Sequence, residues 1–170
     1  MQDRVFLIGF MGSGKTTLGR RMARLTGYDF VDMDELIEET AGMTISGIFT
    51  QHGEAMFRKW ERDILLELCN RNNVVISTGG GAPCRDDMMD IMNASGQTVY
   101  LQLDPAILCK RLLESRTRRP LIEGLGPKEL EDYVSRTLKK RESYYRQAAY
   151  IVDGSSLDAE KVFSILSQTT

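Results

Sequence analysis

Five short runs rich in apolar and β-branched residues punctuate the chain, at Arg4–Ile8, Asp29–Val31, Val74–Ile76, Thr98–Leu103 and Tyr150–Val152. Between them, apolar residues recur every three or four positions. Strands alternating with helices in this way predict βαβ units and a parallel sheet covered on both faces. Leu18, Met22 and Leu25 make the stripe of a helix over Lys15 to Leu25. Phe57, Trp60, Ile64 and Leu68 mark another, entered through Gly53–Glu61 and running to Cys69, which places Trp60 in the core and His52 in a preceding loop. Asp104 and Pro105 open a further helix, because Asp caps well and Pro suits the first helical position. Pro127 starts a long one. With Leu130 at zero and about 100° per residue, Val134, Leu138 and Tyr145 fall at about 40°, 80° and 60°, and Arg141 at about 20° among them.

Composition changes this picture little. At 170 residues, 42% hydrophobic and 27% charged, the chain suits one soluble domain of residues 1–170, and a domain of that size removes about 70% of its unfolded surface from water. A net charge of −2 leaves no footprint for nucleic acid or membrane, so an anionic ligand must be met by local arginines. No apolar run reaches the ~18 residues of a membrane span. Cys69, Cys84 and Cys109 are widely spaced, with no CxxC pair and no signal peptide pattern, which predicts reduced thiols in a cytoplasm. His52 is the only histidine, so the chain offers no thiolate and imidazole metal site.

The candidate chemistry sits at the strand ends. Gly9-Phe10-Met11-Gly12-Ser13-Gly14-Lys15-Thr16 follows the first strand and opens a helix, the context of a phosphate-binding P-loop. Its glycines let backbone N–H groups turn toward phosphate, the helix N-terminus adds partial positive charge, and Lys15 brings a full one. Thr16 would place its hydroxyl on Mg²⁺. After the second strand come Asp32 and Asp34. Asp32 has two readings: a helix cap, with Glu35 at capping-box spacing, or a carboxylate for the metal. Asp34 is surplus to the cap and reads as functional.

Arg58, on the border of its helix stripe, either pairs with Glu61 at the surface or meets a ligand. Val74–Ser77 runs through Thr78 into Gly79-Gly80-Gly81, more glycine than a turn requires and suited to close approach of a ligand. This strand lacks the terminal aspartate of ATPase motors and GTPases, which turns attention to Asp32. Arg111, Arg116, Arg118 and Arg119 crowd a stretch leading to Gly124 and Gly126 that reads as a mobile flap over phosphates, with Arg116 and Arg118 solvated. Arg141 faces inward and needs an anion, either a buried protein carboxylate or a substrate carboxylate matching its planar fork.

This set of motifs in this order, Gly9–Lys15, Asp32-Met33-Asp34, Phe57-Arg58, Gly79–Gly81, Arg119-Pro120-Leu121 and Arg141–Tyr145, resembles shikimate kinase, in the nucleoside-monophosphate-kinase-like branch of P-loop proteins. The resemblance covers essentially the whole chain. It implies a three-layer P-loop fold, α/β, with a five-stranded parallel sheet of order 2-3-1-4-5, an acid-binding helical segment at about 33–62 and a mobile lid at about 112–126. It implies transfer of the γ-phosphoryl group of ATP to the 3-hydroxyl of shikimate, with Mg²⁺, by a cytoplasmic monomer that needs neither nucleic acid nor membrane. Gly12, Ser13, Gly14, Lys15, Thr16 and Thr17 would bind ATP, with Arg111 against the adenine and Arg119 on the phosphates. Thr16 and Asp32 would serve the metal. Asp34 would hold ring hydroxyls and act as base, and Lys15 and Arg119 would share the catalytic work. Arg58 and Arg141 would grip the carboxylate in a pocket lined by Gly79, Gly80 and Gly81. A gluconate-kinase-like enzyme would need no paired arginines, and intact Lys15, Thr16, Asp32 and Arg119 oppose a non-catalytic ATP-binding regulator.

Overall fold

The structure, a computed structural model, describes residues 1–115, 120–156 and 158–168. The elements follow in the order β1 (Arg4–Ile8), α1 (Lys15–Thr26), β2 (Asp29–Asp32), α2 (Met33–Ala41), α3 (Ile45–Leu68), β3 (Val74–Ser77), α4 (Met88–Ser95), β4 (Gln97–Gln102), α5 (Pro105–Glu114), α6 (Pro127–Tyr145), β5 (Tyr150–Asp153) and α7 (Ala159–Ser167). The five strands lie in the order β2-β3-β1-β4-β5, and every adjacent pair is parallel. The expected α/β class and strand order are both present.

Period-two alternation in the central strands divides the core. Phe6, Ile8, Val74, Ile76 and Tyr100 pack with α3, α4, α5 and α6 on one face, while Val5, Leu7, Val75, Val99 and Leu101 pack with α1 and α7 on the other. Strands buried on both faces explain why these runs read as continuously apolar. Because all five run the same way, the loops after β1, β2 and β3 emerge at one edge of the sheet, and that edge carries the P-loop, Asp32 and the three glycines.

Three local expectations fail. Leu25 is 45% exposed, although it shares a stripe with Leu18 and Met22. The buried arc of α1 runs instead from Leu18 through Met22, Lys15 and Gly19 to Ala23, because Gly19 is where the helix meets the sheet: a Cβ there would lie 2.4 Å from the Phe30 ring. This shift leaves Leu25 on the rim. His52 is not in a loop but on α3, which begins at Ile45 behind the Thr44 cap and continues across a non-helical Gly53 with φ 77°. That left-handed φ, open to glycine, joins two helical segments that the sequence pattern separates. The His52 ring stands 5.6 Å from that of Trp60, which is half-buried rather than central to the core. Among the described residues no helix is long and apolar enough to cross a membrane.

Candidate active site

The loop between β1 and α1 turns through positive φ at Gly9, Gly12 and Gly14, a path that side chains resist and that lets successive N–H groups face one way. Lys15 is buried and donates from Nζ to the carbonyls of Gly9 and Phe10, at 2.9 and 3.0 Å. Ser13 Oγ is buried without a hydrogen-bond partner among the described residues. Thr17, in the first turn of α1, faces solvent. Across the loop, Arg111 donates to the carbonyls of Ser13 at 3.1 Å, Gly154 at 3.1 Å and Ser155 at 3.3 Å. It thus ties the P-loop to the turn after β5.

Asp32 caps its helix and also reaches the phosphate loop. Its Oδ1 accepts from the Asp34 N–H at 3.1 Å as the cap of α2, and its Oδ2 accepts from the Thr16 hydroxyl at 2.9 Å. Glu35 does not close a capping box; it reaches Arg20, at 3.5 Å. Asp34 is pushed up to about 6, by burial first and the Asp32 charge second, with the Lys15 ammonium pulling the other way. It points at Gly79: a Cβ there would lie 2.7 Å from Asp34 Oδ1 and 3.4 Å from Glu61 Oε1.

Arg58 does pair with Glu61, at 2.8 Å, but Glu61 is buried, with its side chain 4% exposed. Burial raises the Glu61 carboxyl and the Arg58 charge opposes the shift. Arg58 also meets Glu54 at 3.3 Å, and Glu54 in turn pairs with Arg85 at 2.9 Å. Arg141 behaves differently. Its guanidinium lies 5.6 Å from the Phe10 ring centroid, and no carboxylate pairs with it among the described residues, so a structural salt bridge is not what its inward position serves. A Cβ on Gly81 would meet Arg141 Nη2 at 3.7 Å and Arg58 Nη1 at 3.9 Å, and one on Gly80 would meet Arg141 Nη1 at 3.4 Å and both Gly9 O and Met11 N at 3.5 Å. The three glycines therefore lie where the two cations and the phosphate loop come close together, with no room for side chains between them.

The family model for shikimate kinase matches residues 11–170. This chain belongs to the shikimate kinase family. It is 46% identical over 155 residues to the shikimate kinase of Bacteroides thetaiotaomicron, covering 91% of this chain and 89% of that protein. A crystal structure of shikimate kinase from the same organism matches with a TM-score of 0.89 at 43% identity, covering 99% of this chain and 96% of that one. The shikimate kinase of Acinetobacter baumannii, solved in complex with shikimate, matches with a TM-score of 0.87 at 35% identity, covering 99% and 96%.

Of the residues that resemblance to the shikimate kinase family singled out, the structure gathers Gly12, Ser13, Gly14, Lys15, Thr16, Asp32, Asp34, Arg58, Gly79, Gly80, Gly81 and Arg141 around one sheet edge, with Arg111 at its rim. Arg119 lies outside the described residues, as do Arg116 and Arg118. Sequence reasoning passed over the burial of Glu61, the Glu54 and Arg85 pair behind Arg58, and Tyr145, whose hydroxyl donates to Gly80 O at 2.6 Å. The helical stripe that turned Tyr145 inward was the available signal.

Proposed function

We propose that this chain transfers the γ-phosphoryl group of ATP to the 3-hydroxyl of shikimate, a step toward chorismate and the aromatic amino acids. The observation that carries the reading is the placing of Arg58 and Arg141 about Gly81, with no carboxylate paired to Arg141 among the described residues and Gly80 close to the phosphate loop. Arg58 already has Glu61 and Glu54, but Arg141 does not, and the carboxylate of a small organic acid set between the two guanidiniums supplies the missing anion.

In this reading the N–H groups of Gly12, Ser13, Gly14, Lys15, Thr16 and Thr17 cradle the phosphates, and Lys15 follows the γ-phosphate. Arg111, fixed by three carbonyls, lies against the adenine. The Thr16 hydroxyl and the Asp32 carboxylate are hard oxygen donors at the loop's mouth and suit Mg²⁺, which keeps several of its waters. When bound, that ion neutralises charge on the transferring phosphoryl group. Asp34 receives the ring hydroxyls. With its pKa raised to about 6 it is ionised near neutrality yet a better proton acceptor than an ordinary aspartate. Because the transition state is loose, its first task is to orient the hydroxyl.

Residues 33–62 serve as the acid-binding segment and 112–126 as a lid that brings Arg119 over the phosphates. Leu113 and Leu121, 55% and 67% exposed, lie within that segment and provide apolar surface for closure to cover. Shutting out water matters because water competes as acceptor. Free thiols at Cys69, Cys84 and Cys109 suit a reducing cytoplasm, and every assigned group comes from one chain, so a monomer suffices.

A coupled ADP-release assay across shikimate, quinate, gluconate and a nucleoside monophosphate tests the reading. Turnover should be strong with shikimate. Turnover with gluconate and none with shikimate would overturn it.

A further inference from the structure

Tyr145 has no part in the roles assigned above. It lies on α6 one helical turn beyond Arg141 and is completely buried. Its hydroxyl donates to the carbonyl of Gly80, 65 residues away in the chain, at 2.6 Å. Arg141 lies near the same phenol, where its charge opposes the effect of burial. One side chain thus holds the glycine run beside the cation that faces it.

The ring carrying this hydroxyl is itself held. It packs against Tyr100 with centroids 5.1 Å apart at 41°, and Tyr100 donates to Glu142 Oε2 at 2.7 Å. Glu142 also accepts from Gln102 at 3.2 Å and pairs with Arg146 at 2.8 Å. Burial raises the Tyr145 phenol well above its ordinary range, so it remains a donor at any pH the enzyme meets.

A run of three glycines is the backbone with the most freedom to lose, and it offers no side chains by which to be held. A peptide unit, however, is planar and trans, so its C=O and N–H point in opposite directions. Anchoring the Gly80 carbonyl therefore also fixes the direction of the Gly81 N–H. We infer that Tyr145 is a positioning residue for the acid substrate: it orients the peptide between Gly80 and Gly81 beside the Arg141 guanidinium, without touching the substrate. This rests on the assignment of shikimate to the space beside Arg58 and Arg141.

Two ring-preserving variants test it. Tyr145→Phe keeps the stack on Tyr100 and removes only the hydroxyl. The KM for shikimate should rise about tenfold, the size of one buried hydrogen bond, while the KM for ATP stays within about twofold. Shikimate titrated against the fluorescence of Trp60, the single tryptophan, should show the same loss of affinity. Tyr100→Phe removes an equally buried hydroxyl that bonds Glu142 instead. It should lower the melting temperature comparably and leave the shikimate KM within about twofold of wild type. The proposal is overturned if Tyr145→Phe melts lower but keeps the wild-type shikimate KM, or if it raises the KM of both substrates alike. Absence of shikimate turnover by the wild-type chain would instead sink the underlying assignment, and this proposal with it.

Discussion

Replacing Gly79 with alanine separates catalysis from folding. Gly79 has no left-handed φ, so its backbone accepts alanine without strain. The methyl, however, arrives 2.7 Å from Asp34 Oδ1 and 3.4 Å from Glu61 Oε1. To recover an ordinary contact the Asp34 carboxylate must retreat by about 0.7 Å, and Glu61, held by Arg58, leaves little room on its side. Rotation of a short side chain is cheap, so the stability cost should stay below about 1 kcal/mol. The cost to the reaction is larger, because a misplacement of about 1 Å can take 10²-fold from the rate. A loss of roughly 30- to 100-fold in kcat is expected with the KM for ATP unchanged.

Gly19→Ala is the matched control. Its methyl would lie 2.4 and 2.9 Å from two Phe30 ring atoms and 3.2 Å from Leu7, between α1 and the sheet. Overpacking there should cost about 1–3 kcal/mol, or about 3–10 °C in melting temperature, with kcat intact. Kinetics by coupled ADP release and thermal melts of both variants decide the matter. If Gly79→Ala keeps full kcat, or melts as low as Gly19→Ala, the geometry assigned to Asp34 is wrong.

Removing either arginine should raise the shikimate KM about 10²-fold or more without weakening ATP. Only Arg58→Ala should also lower the melting temperature, since it strands Glu61 buried and unpaired, and that deficit should shrink toward acid pH as Glu61 protonates. Equal melting losses in the two variants would contradict the pairing described here. Asp32→Asn keeps an oxygen for the α2 cap, so the apparent Mg²⁺ requirement should rise about tenfold with little change in melting, whereas Asp32→Ala should also lose about 1 kcal/mol of cap stability. A metal titration of initial rates distinguishes them from a purely structural Asp32.

The last prediction concerns pH. Because the folded pKa of Asp34 is raised, the native state holds its proton more readily than the unfolded chain does. The resulting stability is full below about pH 4 and is lost as pH rises through about 6, leaving a deficit on the order of 3 kcal/mol at neutrality. Asp34→Asn should therefore melt higher than wild type in ligand-free protein at pH 7.5, with the gap closing below pH 5, while kcat falls. A gap independent of pH would refute the burial argument.

Much of the site was legible before the fold was seen, because its chemistry is local. The phosphate loop needs glycines, a lysine and a helix start in immediate succession, and Asp32 to Asp34 span one strand end, so backbone geometry alone brings their groups together. Arg58 and Arg141 were legible only as suspects. Helical periodicity says which face of an element is apolar, not which element it will meet, and so each arginine kept a bland alternative.

The sequence by itself determined the five strand runs, the phosphate loop and the inward stripe of α6 that carries Leu130, Val134, Leu138, Arg141 and Tyr145. Packing decided the rest. The order of the strands sets β3 beside β1, so that Gly80 touches the P-loop, and the seating of α3 and α6 brings residues 58 and 141 to the same glycine. The same packing put Glu61 inside, left Leu25 outside and gave the Tyr145 hydroxyl its carbonyl. Such contacts join segments far apart in the chain. Their formation depends on which surfaces remain to be buried once the sheet has assembled, and a one-dimensional pattern does not contain that information.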